Sequence, residues 1–174
     1  MSISSKQPTV SYPAPVRDPA RNEERYALAM QSINYAVYDA DLEGGEVYFS
    51  ESLRELLGMK PVVLAHGRAV FAATPDESHY NPIGVVHGGL AATLLDSAMG
   101  CAVQSTLPVG SGYTTLELKV NFVKTLTDKV PLVRAVSEVI YNGAKIGTSQ
   151  GKLIGPDGTL FAHATTTCIV LDAR

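Results

Sequence analysis

The chain has no tryptophan and two cysteines, with 18% charged residues and a net charge of -3. Cys101 and Cys168 lie far apart and match no metal or redox spacing, so the expectation is two buried free thiols in a reducing compartment. The small negative charge gives no basic footprint for nucleic acid. No apolar run approaches the ~20 residues of a bilayer span. Met1 to Val10 is polar and lacks the apolar stretch of a signal peptide. These absences predict a cytoplasmic protein that binds neither nucleic acid nor membrane. What is present is apolar material: 45% hydrophobic residues, enough for a real core and too much for a disordered chain.

Proline and glycine punctuate the chain. Pro8, Pro13, Pro15 and Pro19 among polar residues make 1–19 read as a flexible tail. Arg21 to Ile33 has a helical pattern. Ala36–Asp41 and Glu46–Ser50 flank a Glu-Gly-Gly turn and read as a hairpin. A short helix then ends at Gly58, so 20–58 is an N-terminal extension and 59–174 the main domain. Val62–Ala65 and Arg68–Ala73 read as strands turned at His66-Gly67. The longest helix is expected from Gly88 to about Leu107, stopped by Pro108 and Gly110. Beyond it the period becomes two. Thr114, Leu116, Leu118, Val120 and Phe122 alternate with Thr115, Glu117, Lys119 and Asn121, the pattern of a half-buried strand. Val130–Tyr141, Lys145–Ile154 and Thr159–Leu171 complete a set of hairpin-linked strands. The fold class is α+β, an antiparallel sheet packed on one helix.

The richest segment is Asn81-Pro82-Ile83-Gly84-Val85-Val86-His87-Gly88-Gly89, which opens into Leu90-Ala91-Ala92-Thr93-Leu94-Leu95-Asp96. Glycine at a helix start can bring bare N–H groups close to a ligand. On a helical wheel Asp96 lies with Gly89, Ala92, Thr93 and Gly100 on a stripe of small residues. Two readings of the stripe stand: helix packing with a hydrogen-bonded Asp96, or a site that something approaches closely. Gly88 and Asp96 are eight residues apart, roughly 12 Å along a helix. A reacting carbonyl needs its oxyanion donor and its acid/base each within about 3 Å. One chain therefore cannot supply both, and the second reading predicts a composite site at a two-fold interface.

Several stretches resemble the hotdog-fold acyl-CoA thioesterases of the phenylacetic-acid-degradation type. They are Gly67-Arg68-Ala69-Val70-Phe71, His79-Tyr80-Asn81-Pro82, Val86-His87-Gly88-Gly89, Leu94-Leu95-Asp96, Thr114-Thr115-Leu116-Glu117-Leu118, Val120-Asn121-Phe122 and Ala162-His163-Ala164-Thr165. They keep the family's order over about residues 57–171. The resemblance implies a hotdog fold, a long central helix wrapped by an antiparallel sheet. It also implies a homodimer with a continuous sheet, often paired into a homotetramer. The implied activity is hydrolysis of an aryl- or medium-chain acyl-CoA without metal or cofactor, coenzyme A being part of the substrate.

Carried over by position, Asp96 is the general base or nucleophile and the Gly88 N–H polarises the thioester carbonyl. Asn81 helps position that carbonyl, His87 supports the loop, and Thr115 orients the attacking water. Thr114 is its neighbour and could exchange with it. Gly89, Thr114, Lys119 and Lys124 are expected against the substrate. The chain departs from many relatives where Val123-Lys124-Thr125-Leu126 replaces an Arg-Pro pair, so Lys124 would meet coenzyme A phosphates as a point charge; Lys119 and Lys145 are alternatives. Two other functions compete. A hotdog dehydratase or hydratase would pair His79 with Asp96, yet seventeen residues is a long gap for that family. An acyl-CoA-binding regulatory module without turnover is suggested by Ala27–Gly58, which is similar to the start of a PAS sensor domain.

Overall fold

The period of the sequence changes after Pro108, and the backbone changes with it. The structure is a computed structural model that describes residues 38–41, 46–49 and 58–171, all within one compact unit. The expected tail, the Arg21–Ile33 helix, the helix before Gly58 and the boundary at 58/59 fall outside the described residues or on their edge, as does most of the PAS-like stretch. The expected hairpin is present as β1 (Tyr38–Asp41) and β2 (Glu46–Phe49), paired antiparallel with Asp41 opposite Glu46.

Six further strands form one sheet. They are β3 (Met59–Ala65), β4 (Arg68–Ala73), β5 (Gly112–Phe122), β6 (Val133–Asn142), β7 (Ile146–Ile154) and β8 (Leu160–Leu171). Their order is β3-β4-β6-β7-β8-β5, and every neighbouring pair is antiparallel. The helix α1 (Gly88–Gln104) packs against all six strands, which is the hotdog architecture. β5, the strand that follows α1, crosses to the far edge of the sheet beside β8. Its outer edge has no partner strand among the described residues.

The core is the apolar side of α1 against the inner face of the sheet. Leu94, Leu95, Ala98 and Met99 are fully buried against Phe71, Val133, Ala135, Leu153 and Ala162. Close approach is made possible by β7, whose inner positions are Gly147, Ser149 and Gly151. A methyl on Gly147 would meet Val103 Cγ1 at 2.6 Å, and one on Gly151 would meet Leu95 and Met99 at 3.1 Å. Two buried serines lock the helix in place. Ser149 Oγ donates to the Met99 carbonyl at 3.0 Å, and Ser137 Oγ lies 2.7 Å from the Ala98 carbonyl. Neither hydroxyl is left unpaired in the core, where that would cost about 1–3 kcal/mol.

Three details differ from expectation. The helix stops at Gln104, because the Ser105 and Thr106 hydroxyls bond the carbonyls of Ala102 and Val103 at 2.7 Å. β6 begins at Val133, since Pro131 has no N–H to give a ladder. The third concerns the faces of β5. Thr115 pairs with Cys168 and Glu117 with Thr167, so Leu116 is an extra residue, a bulge. Leu118 and Val120 pack on the core as expected, but Leu116 is 58% exposed and Thr114 is exposed as well. Strict alternation would have turned Thr114 inward; the bulge turns Thr115 inward instead.

Candidate active site

The loop before α1 is held almost entirely by its own polar groups. Asn81 Oδ1 accepts from the N–H of Ile83 (3.2 Å) and of Val85 (3.3 Å). The Asn81 N–H donates to the Val85 carbonyl at 2.9 Å, and the Gly84 N–H to the Asn81 carbonyl at 3.0 Å. Asn81 is thus the brace of this turn, and its Nδ2 is the part left to donate outward. Gly84 has φ +79°, a left-handed conformation suited to glycine. The loop is tied to the segment after β5 by Val86 N–H to Leu126 O (3.0 Å) and by the Tyr80 hydroxyl to Asp128 Oδ1 (2.7 Å).

His79 is engaged in the same scaffold. Its Nδ1 accepts from the Asp76 N–H at 3.1 Å, while Asp76 Oδ1 accepts from the Ser78 N–H at 2.8 Å, a capping box on a short 3-10 turn. The Ser78 hydroxyl and N–H hold the Asp76 carboxyl below the usual carboxylate range. His79 is therefore a loop residue with its Nδ1 already bonded.

His87 is the N-cap of α1. Its backbone is extended (φ -61°, ψ 135°), and its Nδ1 accepts from the Gly89 N–H at 2.8 Å. A neutral ring that accepts at Nδ1 carries its proton on Nε2. The cap changes what the two glycines offer. The Gly89 N–H is spent on His87, so it is not a bare donor. The Gly88 N–H makes no hydrogen bond with any described residue. It is the helix-start donor free for a ligand, at the positive end of the helix dipole.

Asp96 sits two turns further along, on the half-buried side of α1. Thr115 Oγ1 donates to Asp96 Oδ1 at 3.1 Å. The carboxylate is thereby oriented, with Oδ2 available to accept another proton. Behind this pair stands Cys168, a fully buried free thiol directly across the ladder from Thr115. Burial pushes the Cys168 thiol up, and the nearby Asp96 charge pushes the same way, against hydrogen bonds with Thr166 and Thr115. One turn beyond Asp96, the Tyr113 hydroxyl lies where a side chain on Gly100 would be, so Gly100 is there to admit that ring.

The structure therefore brings Asp96 and Thr115 together, and likewise Asn81, His87 and Gly88. It does not bring the two groups together within one chain. Thr114 and Lys119 project from the face of β5 opposite Asp96, since they alternate with residues packed on the core. Lys124 is exposed, with its Nζ 5.9 Å from the centre of the Phe161 ring. It stands at the rim of a cavity of about 470 Å3 next to Gly88, which Phe122 and Ala91 also line. Sequence reasoning finds Cys168 only as a buried thiol and does not single out Tyr113. The Thr115–Cys168 pairing depends on the bulge, so no periodic signal marks it.

Comparisons with known proteins agree with the fold. The profile of the thioesterase superfamily matches residues 83–162. A candidate esterase of Halobacterium salinarum is 33% identical over 88 residues, which cover 49% of this chain and 56% of that relative, little more than half its length. The structure of a conserved Pseudomonas aeruginosa protein aligns with TM-score 0.64 at 30% identity, over 70% of this chain and 95% of the other. A variant of the phenylacetic acid degradation protein PaaI from Thermus thermophilus aligns with TM-score 0.60 at 26% identity, over 68% and 98%. The chain therefore carries a thioesterase-superfamily domain. Two of its structural neighbours, from Ralstonia eutropha and Thermus thermophilus, carry phenylacetic acid degradation names.

Proposed function

We propose that this protein hydrolyses an aryl- or medium-chain acyl-CoA to the free acid and coenzyme A, at a site shared between two subunits. The observation that carries the reading is the Asp96–Thr115 hydrogen bond of 3.1 Å, set on the same helix that begins with the free Gly88 N–H. A second copy related by a two-fold axis would lay its β5 edge against this one. Gly88 of one chain would then face Asp96 of the other, as the ~12 Å spacing along one helix requires. The edge of β5, which has no partner strand among the described residues, supports this, and so do the exposed apolar residues on or beside it: Leu116 and Val123. Such an edge is a template for pairing with another strand. Dimers of this kind can pair again into a tetramer.

In this reading the Gly88 N–H donates to the carbonyl oxygen of the thioester, and the helix dipole favours the negative charge that develops there. Asn81 Nδ2 steadies the same group, and His87 keeps the helix start open. Asp96 removes a proton from water as the water oxygen bonds the carbonyl carbon, or attacks that carbon itself. The C–S bond then breaks, and the coenzyme A thiolate leaves and is protonated; where Asp96 itself attacks, water then hydrolyses the Asp96 acyl anhydride, releasing the free acid and restoring the carboxylate. Thr115 holds the carboxylate in place, and Lys124 is an exposed cation in the lining of the cavity.

A panel of aryl, short, medium and long acyl-CoAs, assayed by thiol release, tests the proposal. The parent protein should turn over part of the panel, and Asp96→Ala should lower the rate by about 10²–10⁴-fold. If Asp96→Ala hydrolyses the panel as fast as the parent, the assignment fails.

A further inference from the structure

The cavity beside Gly88 is placed where one arm of a thioester would have to go. It measures about 470 Å3 and is lined at depth by Val86, Ala91, Leu126, Leu153 and Phe161, all buried. Its polar lining, His87, Lys124 and Thr125, is exposed and lies at the mouth. Binding pockets for small molecules run to about 300–1,000 Å3, so the space is large enough for an organic group.

A thioester bound at the Gly88 N–H extends in two directions, the acyl group and the pantetheine arm of coenzyme A. The arms differ in chemistry. Pantetheine carries two amides, and an amide buried without a hydrogen-bond partner costs about 1–3 kcal/mol. The deep wall of this cavity offers apolar side chains, which suits a hydrocarbon or aryl group and not an amide-bearing arm.

Phe122 lines the cavity beside the helix start. A methyl built on Gly88 would stand 3.0 Å from its Cζ and 3.1 Å from its Cε1, so the ring tip rests on the helix start beside the proposed carbonyl site. The ring is nevertheless 58% exposed, at the end of an edge strand. A ring so weakly packed can swing without opening a hole in the core.

Resting on the thioesterase reading above, we propose that this cavity is the acyl pocket. Phe122 is its lid and the residue that sets acyl size, and Ala91 is the small residue that leaves the floor open.

The test is kcat/KM across the acyl-CoA panel for the parent protein, Phe122→Ala and Ala91→Val. Product inhibition by free coenzyme A is measured alongside, and thermal melts check folding. Phe122→Ala should shift preference toward bulkier acyl groups by roughly tenfold, the scale on which hydrophobic pockets discriminate size. Ala91→Val should shift it toward shorter ones, and inhibition by coenzyme A should stay the same in both. If Ala91→Val does not fold, the exposed Phe122→Ala and Phe122→Leu pair decides alone. A uniform rise in KM for all acyl groups, with weakened inhibition by coenzyme A, would mean that the cavity holds the pantetheine arm and would overturn the proposal. An active parent whose size profile is unchanged in the variants would also overturn it, leaving the thioesterase reading intact. A parent that hydrolyses no acyl-CoA would remove the reading itself.

Discussion

Thr115 Oγ1 lies 3.1 Å from Asp96 Oδ1, and a single bulged residue, Leu116, is what turns Thr115 toward the helix. Without the bulge the inward position would fall to Thr114. A polar contact between strand and helix therefore hangs on one local irregularity. Bulges recur beside active sites because they re-aim a side chain in this way.

The first prediction separates the two threonines. Thr115→Val removes a hydrogen bond to a carboxylate, worth about 1.5–3 kcal/mol. Steady-state kinetics should show kcat reduced by roughly ten- to a hundredfold, with KM changed little. Thr115→Ser keeps the hydroxyl and should retain most of the activity. Thr114→Val alters the opposite face and should behave like the parent. If the Thr114 variant is the impaired one, the register of β5 is wrong.

The second prediction concerns the outer edge of β5. Leu116 is 58% exposed at the bulge. Leu116→Arg places a charge where two apolar edges would meet, and light scattering should report a shift toward monomer. Activity should fall in proportion, since Gly88 and Asp96 of one chain are too far apart to share a carbonyl. A monomer with full activity would contradict the shared site.

The third prediction is about stability. Gly147→Ala sets a methyl 2.6 Å from Val103 Cγ1 in a filled core, an overpacking that costs about 1–3 kcal/mol. The melting temperature should drop by several degrees. Gly112→Ala meets nothing within 4 Å and has no left-handed backbone to lose, so it should change stability by no more than about 0.5 kcal/mol. Equal effects of the two would refute the close packing of α1 on β7.

Much of this protein is legible from its amino acids. Period-two patterning marks the strands after Gly112, and the apolar residues of α1 are the buried ones. Local chemistry explains why: burial of one face imposes a period, and Pro or Gly ends an element. The loop before α1 is also legible, because Asn-Pro and His-Gly-Gly act on their own neighbours through turn and cap hydrogen bonds.

What required the tertiary structure was everything set by pairing across the chain. The face that Thr115 presents follows from its register with Cys168. The loss of the Gly89 donor follows from the rotamer of His87, and the lid over Gly88 from where β5 ends. Charge makes Lys119 a candidate for the coenzyme A phosphates, and the ladder adds that it lies on the face of β5 away from Asp96. A sequence specifies which residues alternate and which cap. Only the folded sheet decides where alternation is broken, and here that break decides which hydroxyl meets Asp96.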